Sequence, residues 1–127
     1  MVDALRRAAR WLRPDGCVID IHPTAQPSTI EVDGVPVGCV QTADAPARHA
    51  AADAALATVL RDGLFTVAGT AVFDFYTCAD TLDELRQHIE DNWRDARVVA
   101  GAAAGWPRAH EQVRITKLLL ARDREPA

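Results

Sequence analysis

Val2, Leu5, Ala9 and Leu12 recur at three- and four-residue steps, with Arg6, Arg7, Arg10 and Arg13 facing away from them. That period predicts an amphipathic helix. It should stop before Pro14, because the residue preceding a proline is pushed out of the helical region. Asp15-Gly16 supplies a turn, and the period then changes. Residues 17 to 22 carry branched apolar side chains with few polar breaks. Such a run predicts a strand covered on both faces, as in a parallel sheet. Thr29 to Val32 and Val35 to Val40 flank Asp33-Gly34, a two-residue hairpin signal in which both turn positions need positive φ. Pro36 has no N–H to donate, so the second arm is expected at an edge, and the hairpin as an excursion from the main sheet.

An alanine-rich helix is predicted over 46 to 62. Ala47, Ala51, Ala54, Ala55, Thr58 and Val59 form a small-residue stripe, Leu56 and Leu60 add bulk, and Gly63 closes it. Residues 64 to 77 read as a strand with Phe73 and Phe75 on one face and Val72, Asp74 and Tyr76 on the other. Gly69 marks a bulge or bend within it. Thr81 to Glu84 fits a capping box, opening a helix whose Leu82, Leu85, Ile89 and Trp93 share a face. Residues 98 to 105 show no clear period. Pro107 is expected to open a short helical turn. Gln112 to Ala121 is expected as the last strand, and Arg122 to Ala127 as a charged, frayed tail. No repeat or linker divides the chain, so residues 1–127 read as a single domain.

The net charge of −4 argues against a nucleic-acid or anionic-membrane partner. The four arginines of the first helix read as its solvated face. No apolar run nears the roughly 20 residues a membrane span needs, and the opening residues lack the apolar centre of a secretory signal. Cys17, Cys39 and Cys78 are odd in number and widely spaced, as expected of reduced thiols in a cytoplasmic protein.

Leu12-Arg13-Pro14-Asp15-Gly16, passing from an amphipathic helix into an apolar strand, resembles the late part of class I S-adenosylmethionine-dependent methyltransferases. There it leads into the fifth strand of the sheet, with a glycine more usual where Asp15 stands. The resemblance implies an α/β fold: a three-layer, partial Rossmann-like mixed sheet with the 29 to 40 hairpin inserted after the fifth strand. Residues 17 to 22 would match the fifth strand, 70 to 77 the sixth and 112 to 121 the seventh. The seventh would lie between the other two and antiparallel to both. The cofactor-binding half of that family precedes this point, and the seven glycines include no Gly-x-Gly. The resemblance therefore implies no S-adenosylmethionine bound by this chain alone, and binding only if a partner completes the fold.

Several residues carry candidate chemistry. Asp20 and His22 share a face near the C-terminal end of the first strand, where ligands gather in open α/β sheets. They read either as a base with its orienting group or as a strand-end cap. Asp74, Tyr76 and Trp106 are further candidates for a pocket with them. Cys78 stands at a helix start, but no base adjoins it in sequence. The histidines and cysteines lack zinc-ligand spacing, so no metal is expected. No residue is assigned a catalytic role.

Two classes of function follow. In the first, the chain is a non-catalytic, methyltransferase-related module. The edge of its lead strand (Cys17, Val18, Ile19 and Ile21) would be covered by a second copy, by the hairpin, or by a cofactor-binding partner protein. A homodimer is the favoured form. In the second, it is a subunit or fragment of a split small-molecule methyltransferase, inactive as an isolated chain.

Overall fold

The computed structural model describes residues 1–43 and 45–121. In chain order the elements are α1 (Val2–Trp11), β1 (Cys17–Pro23), β2 (Thr29–Val32), β3 (Val35–Thr42), α2 (Ala45–Arg61), β4 (Phe65–Cys78), α3 (Leu82–Asn92), β5 (Ala96–Ala100) and β6 (Pro107–Leu120). The expected frayed tail, Arg122 to Ala127, lies outside the described residues.

Local signals set most element ends. Asp33 (φ 49) and Gly34 (φ 79) both turn left-handed, and β2 and β3 pair antiparallel across them. At the end of α2 the Gly63 N–H donates to the Leu60 carbonyl and the Leu64 N–H to the Val59 carbonyl. This is a Schellman cap with Gly63 (φ 71) in the left-handed position. The Thr81 hydroxyl accepts from the Glu84 N–H, 3.1 Å away, and caps α3. The β4 register shifts between Val67 and Gly69, the bulge expected there.

Six strands form one sheet, and every pair is antiparallel. The sheet is thus not mixed. The last strand, β6, is its hub. On one side β6 pairs with β4, from Phe65 opposite Leu120 to Cys78 opposite Arg108. On its other side β1 takes the C-terminal part, from Cys17 opposite Leu119 to Pro23 opposite Val113. There β2 takes the first four residues, from Thr29 opposite His110 to Val32 opposite Pro107. β3 and then β5 extend the sheet outward from β2.

Three expectations are corrected here. The hairpin is not an excursion, because β2 adds directly to β6. Its second arm is flanked on both sides, but β5 reaches only from Gly38 to Thr42, so Pro36 lies beyond the ladder it could not join. Pro107 opens a strand rather than a helical turn, and residues 98 to 100 of the stretch without a clear period belong to β5. At Gly38 an added Cβ would collide with the Val99 carbonyl oxygen and Ala100, so glycine allows the close approach of β3 and β5.

Packing follows the alternation of β6. Ala109 joins Ile30, Val40 and Val98 under Leu85 and Ile89 of α3. Leu118 joins Phe65, Leu5 of α1 and Val59 of α2. Nine positions separate Ala109 from Leu118, so the two clusters lie on opposite faces of the strand. The inner face of α2 runs through Ala55 and Val59, while Ala47, Ala51 and Ala54 of the expected stripe are exposed. No helix among the described residues is long and apolar enough to cross a membrane.

Candidate functional site: a cleft where the sheet parts

Because β1 and β2 share one side of β6 without meeting, the sheet parts beside Glu111 and Gln112. The chain crossing this gap is tied down by the Thr24 N–H on the Gln112 carbonyl (2.9 Å) and the Thr24 hydroxyl on the Gln112 side chain (2.9 Å). A cleft of ≈ 890 Å³ opens there, between the end of β1, the start of α2 and the α3–β5 turn. Its size is in the range of small-molecule sites.

Strand alternation puts Asp20 and His22 on one face, and the structure joins them. His22 Nδ1 lies 2.7 Å from Asp20 Oδ2. Its Nε2 lies 3.2 Å from Asp53 Oδ1, which α2 supplies. Asp53 Oδ1 also stands 3.8 Å from Arg114 Nη1. Both ring nitrogens therefore face carboxylates, leaving neither open to a substrate proton. The arrangement ties α2 to β1 and fixes the imidazole at the rim of the cleft.

Other cleft groups come from separate elements: Arg48 and His49 from α2, Trp93 from the end of α3, Arg97 from β5. Among the described residues, the side chains of His49 and Arg97 have no hydrogen-bond or ion-pair partner. Glu111 forms part of the wall. Burial pushes its carboxyl above the usual range, partly opposed by the charge of the neighbouring His110.

Of the expected pocket residues only His22 lines this cleft, with Asp20 behind it. Asp74 and Tyr76 lie farther along the sheet and meet His110: Asp74 Oδ1 is 2.7 Å from His110 Nε2. The Tyr76 and His110 ring centroids are 5.2 Å apart. The Arg108 guanidinium stacks 4.1 Å from the Tyr76 centroid, and its Nε lies 3.4 Å from Glu31 Oε2. Trp106 stands elsewhere again and is 72% exposed. Its backbone N–H donates to Asp33 Oδ1 (2.9 Å), and its backbone carbonyl accepts from the Asp33 N–H (3.0 Å). The five candidates thus fall in three places and make no common pocket.

Sequence reasoning missed Asp53, Arg97, His110 and Glu111. Alternation beginning at Pro107 and Ala109 was the available signal for His110: it extends β6 backward and puts His110 on the face of Asp74. Asp53 and Arg97 had none, because only the docking of α2 and β5 brings them near.

On β1, the outer edge has no strand partner among the described residues. Cys17 is exposed, while Ile19 and Ile21 are 48% and 58% exposed. Val18 points the other way, into the cluster of Leu5, Val59 and Leu118. Register puts Ile19 and Ile21 on the same face as Leu119, Phe73 and Phe75, all partly exposed. Compared with family models, curated proteins and solved structures, the chain matches none.

Proposed function

We propose that this chain is an assembly module related to the second half of a class I methyltransferase sheet, pairing through β1 with a second copy of itself. The observation carrying the proposal is the position of β6: it lies between β1 and β4, antiparallel to both, while the far edge of β1 has no strand partner among the described residues. That order supports matching β1, β4 and β6 to the family's fifth, sixth and seventh strands. Helices against opposite faces of β6 support a three-layer, partial Rossmann-like arrangement.

Bare edges beside apolar faces are sites of strand addition. β1 is suited to receive its own copy. An antiparallel pairing centred on Asp20 sets Ile19 opposite Ile21 of the partner subunit, a self-complementary, two-fold contact. The connections from β3 to α2 and from β4 to α3 contain no glycine, which supports the reading that S-adenosylmethionine is not held by this chain alone. We therefore derive no methyl-transfer step.

Size-exclusion chromatography with light scattering tests the reading. Twice the chain mass at micromolar concentration is expected, and a clean monomer refutes self-association. A second reading, a split small-molecule methyltransferase, is favoured by the cleft at the carboxyl end of β1. It requires a cofactor-binding partner at the same edge. Tight binding of S-adenosylmethionine by the chain alone, measured by calorimetry, would contradict both readings.

A further inference from the structure

We infer that the cleft beside Glu111 and Gln112 binds a small organic carboxylate with a flat apolar body, its carboxylate held by Arg97 and His49. This goes beyond the assembly reading and does not depend on it, since every group in the cleft belongs to one chain. The charge pattern carries the argument. The protein as a whole is acidic, yet three arginines and two histidines gather at this one concavity. Among the described residues, the side chains of Arg97 and His49 have no partner of their own. Arg48 has an interaction of its own, Arg94 is 3.8 Å from Asp95, and His22 is held by Asp20 and Asp53. Among the arginines and histidines of the cleft, those left to a ligand are thus a guanidinium and an imidazole from different elements, β5 and α2. A guanidinium fork matches the two oxygens of a carboxylate.

The remainder of the wall sets the body of the ligand. Trp93, Val40, Pro27 and Ala52 give it an apolar lining with an aromatic surface. Glu111 selects among anions. Its half-buried carboxyl repels a phosphate dianion more than a singly charged carboxylate. In its acid form it donates a hydrogen bond that a carboxylate accepts.

The test is a titration of the full chain followed by amide chemical-shift mapping, with benzoate and indole-3-acetate as probes. Saturable binding is expected, with shifts centred on residues 22–28, 48–52 and 93–97. The neutral amide of each probe should bind about 10-fold to 100-fold more weakly, as should Arg97→Gln and His49→Gln with either acid. Arg97 is exposed on a short outer strand, and a thermal melt verifies that each variant is folded. Arg10→Gln, on the far helix α1, should bind as the parent does. Equal affinity for acid and amide, unchanged binding in both cleft variants, or no saturation by either acid overturns the proposal. Tighter binding of phenyl phosphate than of benzoate overturns the choice of carboxylate. A monomer that binds benzoate would refute assembly alone, whereas a dimer that binds nothing would refute this inference alone.

Discussion

Replacing Ile19 and Ile21 together by lysine probes the assembly reading most directly. The two side chains are 48% and 58% exposed, so what they leave uncovered adds up to one isoleucine. Burying one such side chain contributes about 1.5–3 kcal/mol. Each subunit of a two-fold dimer brings the pair, so complete covering on both sides contributes about 3–6 kcal/mol. Lysine adds the cost of desolvating charge at the contact. The dissociation constant should therefore rise at least a hundredfold, since each 1.4 kcal/mol is about a factor of ten. Sedimentation equilibrium across a dilution series measures this. Melts at concentrations where both proteins are monomeric control for folding. There the variant should lie within roughly 1 kcal/mol of the parent, because the substituted positions face solvent in the single chain. If the lysine variant keeps the parental dissociation constant, β1 is not the contact. If the parent never dimerises, the apolar face has another explanation.

Three further outcomes follow from the fold. Leu85 is fully buried beneath α3, so Leu85→Ala should cost about 2–5 kcal/mol and lower the melting temperature by roughly 10 °C or more, read by calorimetry. Gly38→Ala should force β5 away from β3, giving faster hydrogen exchange at residues 96–100 while residues 113–119 stay protected. Glu111 binds its proton more tightly folded than unfolded, so its contribution to stability is full below the ordinary value of 4.5 and is lost as pH rises through the raised one. Glu111→Gln should accordingly be more stable than the parent at neutral pH, with the gap closing towards pH 4; a gap that widens on acidification would contradict the burial argument.

What could be read from the chain was what a few adjacent residues decide. Asp33-Gly34 turns because of its own backbone freedom, Thr81 caps its own helix, and Gly63 ends α2 in the conformation only glycine adopts freely. The faces of α1 and α3 were legible for the same reason, since a 3.6-residue period needs no partner to show itself. β5 was not, because Ala96 to Ala100 has no alternation of its own and becomes a strand only against β3. Pro107 looked like a helix opener until β2 and β4 set it in a ladder. The candidate pocket separated because shared face and strand-end position are local facts, whereas the distance from His22 to Tyr76 depends on register across three strands. The groups that line the cleft came together only through the docking of α2 and β5.

The hub strand is also the latest of the six to be synthesised. Cys17 must wait for Leu119, and Thr29 for His110. On a ribosome, β1 and β4 therefore emerge with no strand to join, and although β2, β3 and β5 can pair among themselves, the whole sheet closes only once β6 clears the exit tunnel. Contacts so distant in sequence make folding slow and leave apolar ribbons uncovered meanwhile. Nascent copies on one polysome would meet in that interval, when each displays the same unsatisfied ribbon to its neighbour.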